Sequence, residues 1–230
     1  CDRIPSNRDS AILFRDSEGR VRTLLISTSR CQKPSCVMPL GACRVADAAD
    51  GAGHEVRLLD LMFSRSPLGD VQEALVDFRP DAVGLSVRNI DNGDMADPVA
   101  YYPFLQELMT CVRRHADCPV VLGGGAVSVL PRELLRYTGA DYAIVGEGES
   151  AFPALLDTLE NAGDPRGIDG VAVWDECGFT VASPSYDYCL DGAVLPDYRG
   201  WIDVPRYLER GAAVGIQTKR GCPRHCAYCT

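Results

Sequence analysis

From residue 22 onward, short runs of apolar residues alternate with longer stretches in which apolar positions recur every three or four residues. The short runs are Leu24-Leu25-Ile26, Val56 to Asp60, Ala82 to Val87, Pro119 to Leu122 and Tyr142 to Val145. They are rich in β-branched residues and lack the regular polar alternation of a half-exposed strand, so they predict strands buried on both faces. Helical stretches lie between and after them. One ends at Gly51-Ala52-Gly53 and one runs from Val71 to Phe78. A third, Tyr102 to Arg114, places Phe104, Leu105, Leu108, Met109 and Val112 on one face. Pro131 opens a fourth at its first helical position, and Ser150 to Leu159 forms the fifth.

Five strands alternating with five helices predict an α/β fold with a parallel sheet covered on both faces. Right-handed crossovers then give a doubly wound, flavodoxin-like (Rossmann-like) sheet in the order 2-1-3-4-5. Ligands of such sheets bind beyond the carboxyl ends of the strands. The unusual loops fall there: 28–40, 88–98, 123–128 and 146–150.

After residue 163 the pattern changes. Val171 to Trp174 and Phe179 to Val181, separated by Asp175-Glu176-Cys177-Gly178, predict a β-hairpin. Residues 184–210, rich in Pro, Tyr and Asp, read as a linker. Ala213 to Thr218 then predicts one more strand, which runs directly into a cysteine-rich loop. A strand feeding a cofactor loop at its carboxyl end is how the first unit of a (β/α) barrel begins. The expected organisation is an extension over 1–20, an α/β domain over 21–162, a hairpin and linker over 163–211, and the truncated start of a barrel over 212–230.

Composition narrows the class. The apolar share of 46% suits a globular core, and no run of 18 apolar residues is present to span a membrane. The polar N-terminal residues lack the apolar stretch of a signal peptide and an initiating Met, so the expectation is a cytoplasmic chain, processed or cut from a longer one. A net charge of −9 argues against nucleic acid as a partner. The local basic cluster of Arg210, Lys219, Arg220 and Arg224 reads as a solvated loop. Of the eleven cysteines, eight are scattered without regular spacing and read as ordinary thiols in a reducing compartment.

The other three carry the chemistry. Cys222, Cys226 and Cys229 can place three thiolates on one face of a 4Fe-4S cluster, leaving one iron open for a ligand. Zinc is the rival occupant and would need a fourth ligand, such as His225. The surrounding Gly221-Cys222-Pro223-x-x-Cys226-x-Tyr228-Cys229 resembles the cluster signature of radical S-adenosylmethionine enzymes. That resemblance implies that the three cysteines ligate the cluster and that its open iron chelates S-adenosylmethionine. Reductive cleavage would then give a 5′-deoxyadenosyl radical, with Tyr228 packing near the adenine.

A second resemblance covers roughly residues 20–160. Gly84-Leu85-Ser86, Leu122-Gly123-Gly124-Gly125 and Val145-Gly146-Glu147-Gly148-Glu149, in that order after strands 3, 4 and 5, resemble the cobalamin-binding domain found upstream of many radical S-adenosylmethionine enzymes. The resemblance implies that Ser86, Gly123, Gly124 and Gly125 line the slot for the corrinoid nucleotide tail, with Glu147 also at the cofactor. Arg88 and Asn89, with Asp91 and Asn92, either face the corrinoid amides and the inter-domain cleft or form a capping turn. The loop after strand 1, Ser29 to Cys36, departs from the Asp-x-His-x-x-Gly pattern and has no histidine. The cobalamin implied is therefore one without a protein histidine ligand.

The expected protein is a cobalamin-dependent radical S-adenosylmethionine (SAM) enzyme, a methyltransferase acting on an unactivated carbon or phosphorus centre. Its expected partners are a small-molecule substrate and a reductant such as flavodoxin or ferredoxin. One alternative is a methylthiotransferase acting on tRNA or protein, which needs three N-terminal cysteines converging on a second cluster. The other is a non-catalytic corrinoid or small-molecule binding module. No catalytic residue is expected in this chain beyond the cluster loop, and the chain alone is expected to be inactive.

Overall fold

Leu24 and Ile26 face one side of the first strand and Leu25 the other, and this alternation recurs in each neighbouring strand. A sheet with apolar residues on both faces must be covered twice, and helices cover it here. The computed structural model describes residues 20–176, 178–184, 197–217, 219–222 and 224–227. In chain order the elements begin β1 (Arg22–Ser27), α1 (Leu40–Gly51), β2 (Glu55–Asp60), α2 (Pro67–Phe78) and β3 (Ala82–Ser86). They continue with α3 (Tyr102–His115), β4 (Val120–Gly123), α4 (Gly125–Val129), α5 (Pro131–Thr138), β5 (Tyr142–Ile144) and α6 (Gly148–Glu160). A single 3-10 turn (Pro165–Gly167), a hairpin, β6 (Val171–Asp175) and β7 (Gly178–Val181), and two short helices, α7 (Tyr198–Trp201) and α8 (Val204–Glu209), complete the described set.

The sheet order is β2-β1-β3-β4-β5-β6-β7. The first five strands are parallel, in the doubly wound order expected. The register sets Leu25 beside Leu58 and Gly84, Gly84 beside Val121, and Leu122 beside Ala143. The hairpin does more than follow the domain: β6 pairs antiparallel with β5 and extends the same sheet.

One face packs against α2, α3 and the α4–α5 pair, through Leu75, Leu108, Val112 and Leu134 among others. The opposite face packs against α1 and α6, through Ala46, Ala49, Phe152, Leu155 and Leu156. Each fully buried Leu contributes about 1.5–3 kcal/mol. The amino-terminal edge is closed by polar contacts. Arg113, in the last turn of α3, donates to the Cys118 carbonyl at 2.8 Å and to Asp141 at 2.6 Å. Asp141 also accepts from the Val120 amide at 2.7 Å.

Three expectations change. The 123–128 loop contains α4, because Ala126 and Val127 find apolar burial once the glycines have made the turn. The linker contains α7 and α8, started by Asp197 and Asp203, whose side chains accept from the Arg199 and Arg206 amides. Ala213 to Gln217 form no strand, since a strand needs a hydrogen-bonding neighbour and none of the described strands lies beside them. Among the described residues, no helix is long and apolar enough to cross a membrane.

Candidate functional site

Residues on the α1/α6 side, near the carboxyl ends of β1, β3, β4 and β5, enclose a cavity of about 510 Å³. Its apolar floor is Leu25, Val121, Ile144 and Phe152. Glycines make the space. A Cβ on Gly84 would overlap Leu25 Cδ2 and approach Phe152 Cζ to 3.4 Å, so no larger residue fits that strand position without repacking. At Gly148 a Cβ would stand 2.9 Å from Val45 Cγ2, so this glycine lets α6 approach α1. Gly124 has φ +99° and would put a Cβ 2.6 Å from the Val87 carbonyl oxygen, so only glycine suits the turn. Gly123 and Gly41 also line the cavity, and at each the space a Cβ would take is open. A ligand can therefore reach the main chain there.

Hydrogen bonds fix the loops around this space. The Val87 amide donates to Gly123 O at 2.7 Å, and the Ala126 amide to Val87 O at 3.1 Å, stitching the exits of β3 and β4 together. The Gly146 amide donates to Ser128 Oγ at 2.9 Å, joining α4 to the exit of β5. The Ser86 carbonyl accepts from the Thr28 hydroxyl at 2.9 Å, which anchors the loop after β1.

The rim is charged. Glu149, in the first turn of α6, accepts from Arg44 Nε of α1 at 3.1 Å and from both terminal nitrogens of Arg220, one of them at 3.3 Å. Arg220 Nη1 also lies 2.8 Å from Glu147. Burial works against the Arg220 charge, but its hydrogen bonds to Glu149 and Glu147 outweigh it and raise the guanidinium pKa. This corrects the solvated-loop reading for Arg220, whose side chain is only 13% exposed. Gln217, Lys219, Arg220 and Gly221 all line the cavity, so the lead-in to the cysteine loop is one of its walls. The alternating Gly-Glu-Gly-Glu and the basic Lys219-Arg220 are both visible in the sequence; only the fold brings them together.

Of the residues singled out by sequence, Ser86, Gly123, Gly124, Gly125 and Glu147 line this cavity. Arg88 and Asn89 do not. They border a separate, smaller cavity of about 160 Å³ with Thr28, Arg30 and Tyr101. Cys222 and Cys226 are exposed free thiols beyond the Arg220 anchor. Cys229 and Tyr228 lie outside the described residues. Cys31, Cys111 and Cys118 are dispersed over the loop after β1, the end of α3 and the start of β4. His54 is buried at the start of β2, its Nε2 3.6 Å from Asp157, and His115 Nδ1 meets the Cys111 carbonyl at 2.9 Å. His225 is exposed, and neither it nor the other two histidines lines the cavity.

Glycine-opened main chain, an apolar slot and a position near the carboxyl ends of a parallel sheet suit a bulky organic cofactor with a flat tail. Comparison with known proteins gives the same class. A family model of the B12 binding domain matches residues 33–156, and the chain belongs to that family. It is 29% identical over 203 residues to the hopanoid C-3 methylase of Methylococcus capsulatus, covering 84% of this chain and 35% of that one. It is 30% identical over 257 residues to the tryptophan 2-C-methyltransferase of Streptomyces laurentii, covering 89% of this chain and 42% of that one. Among solved structures it superposes on the radical S-adenosylmethionine methyltransferase TsrM from Kitasatospora setae, with cobalamin and a 4Fe-4S cluster bound. That match has a TM-score of 0.67 and 28% identity, and covers 77% of this chain and 31% of the other. The chain thus spans well under half the length of these relatives.

Proposed function

We propose that this chain is the corrinoid-holding part, and the start of the cluster-binding part, of a cobalamin-dependent radical SAM methyltransferase. The observation that carries the reading is the cavity near the carboxyl ends of β1, β3, β4 and β5, with the lead-in to the cysteine loop as one wall. The nucleotide tail would enter the slot floored by Leu25, Val121 and Phe152, along the main chain of Gly123 to Gly125. Ser86 also lines this cavity and offers a hydroxyl there. Cys222, Cys226 and Cys229 would hold the 4Fe-4S cluster, with Tyr228 beside bound SAM. When bound, the corrinoid supplies a transferable methyl group, and the cluster with SAM supplies the one-electron chemistry that activates an inert position. The residues of this chain bind, orient and exclude water. The remaining partners proposed are a small-molecule substrate and a one-electron donor such as flavodoxin or ferredoxin. The named methyltransferases among the relatives support transfer of a methyl group over other outcomes.

Anaerobic reconstitution with hydroxocobalamin, iron and sulfide tests this. The expected result is corrinoid absorption retained through gel filtration, with about four irons per chain for a single cluster. No retained corrinoid overturns the reading, and about eight irons per chain favours the methylthiotransferase alternative.

A further inference from the structure

We propose that Arg220 is a positioning residue: held by Glu147 and Glu149, it straps the lead-in of the cysteine loop across the rim of the cofactor cavity. Corrinoid retention and the setting of the cysteine loop are thereby coupled. The inference rests on the corrinoid reading above and concerns side chains on the rim of that cavity.

The geometry has a division of labour. Glu149 lies between two guanidinium groups, Arg44 from α1 and Arg220 from the lead-in, with side-chain exposures of 12%, 6% and 13%. Glu147, 17% exposed, lies 2.8 Å from Arg220 Nη1, which also bonds Glu149. A planar guanidinium can satisfy two carboxylates at once, which a lysine ammonium does less well. Arg44 stays with Glu149 when Arg220 is removed, so the α1–α6 contact keeps its ion pair while the strap loses its hold.

Among the described residues of this segment, the other anchors are weak. Tyr198 donates to the Gly215 carbonyl at 3.4 Å, and Val214 and Ile216 are exposed. Cys222 follows Arg220 by two residues, which confines its Cα to within about 7 Å of the Arg220 Cα. An occupied cavity would press on the wall that Lys219, Arg220 and Gly221 form. By linkage, whatever steadies that wall steadies the bound cofactor, and the reverse.

The test compares the wild-type chain with Arg220→Ala, Arg220→Lys, Glu147→Gln and Arg220→Ala/Glu147→Gln. The readouts are amide hydrogen exchange over residues 213–222 and the release rate of bound hydroxocobalamin. The expected result for Arg220→Ala is faster exchange in that segment, unchanged exchange in β3 and β4, and corrinoid release at least about tenfold faster. Arg220→Lys should restore part of both, and the double variant should match Arg220→Ala, because one contact is being removed twice. Unchanged exchange over 213–222 overturns the strap. Faster exchange with unchanged corrinoid release overturns the coupling. A wild-type chain that retains no corrinoid overturns the cofactor reading alone, since exchange still reports the strap. If Arg220→Ala does not fold, Glu147→Gln weakens one of the two carboxylate contacts that hold Arg220. A smaller increase in exchange and release is then expected, with unchanged exchange over 213–222 again overturning the strap.

Discussion

The two faces of the sheet are covered by helices of similar length but different bulk. On one, α3 buries Leu105, Leu108, Met109 and Val112. On the other, α1 buries Ala42, Ala46 and Ala49, and β3 offers Gly84 beneath Phe152 of α6. The parallel ladder is continuous through both, so the cavity is not a defect in the sheet. It lies beside small side chains along a helix, over a floor where a glycine in β3 lets Leu25 and Phe152 pack against the strand. Large residues make one face a foundation; on the other, the small residues along α1 leave room for a guest beside the large ones of α6.

This contrast can be broken from either side. The largest effect is expected on the filled face. Leu108→Ala, at a fully buried position, should cost about 2–5 kcal/mol of unfolding free energy, measured by urea titration. The protein that remains folded should keep its corrinoid. Gly84→Val acts on the open face. It should cost about 1–3 kcal/mol through overpacking against Leu25 and Phe152 and should abolish corrinoid retention. Wild-type retention in that variant would mean the tail does not use the slot.

A smaller effect is expected where α8 docks beside α1. There Tyr207 donates to Asp60 at 2.6 Å in a buried cluster with Cys36 and Cys43. Burial raises the Asp60 carboxyl, partly offset by bonds from Tyr207, the Met62 amide and Ser27. A carboxyl raised on folding binds its proton more tightly in the native state. Its share of stability is therefore full below the ordinary carboxylate range and falls as pH rises through the raised native value. Asp60→Asn should flatten that part of the pH–stability profile while changing stability near neutrality by less than either variant above. The least costly check concerns thiols. Burial pushes Cys43, on the open face, and Cys118, beside the filled one, both up to about 12. Iodoacetamide at neutral pH should label Cys222 and Cys226 and spare these two, read by peptide mass spectrometry.

Sequence patterning carried the parallel strands because both faces of each bury apolar residues, as Leu24, Leu25 and Ile26 do. It carried the glycine loops because Gly124 occupies a conformation few other residues accept. It did not carry α4, whose five residues are too few for a helical period. Nor did it carry the pairing of β6 with β5, which joins segments separated by α6. Arg220 was misread because its partners are 71 and 73 positions away, and charge along a chain does not say which acid it will meet. Arg88 and Asn89 leave β3 on the side of the smaller cavity, a direction that composition does not encode.

The docking of Tyr207 also shortens a leash. With Tyr207 and Ala212 buried, only residues 213–221 separate that anchor from the first thiol of the cysteine loop. A flexible stretch of that length has a root-mean-square span of only about 15–18 Å. Tethers this short hold their ends at effective concentrations on the order of millimolar. Cys222 would stay in the neighbourhood of the cavity even with the Arg220 strap undone. What the strap adds is direction, because proximity is already supplied by the chain.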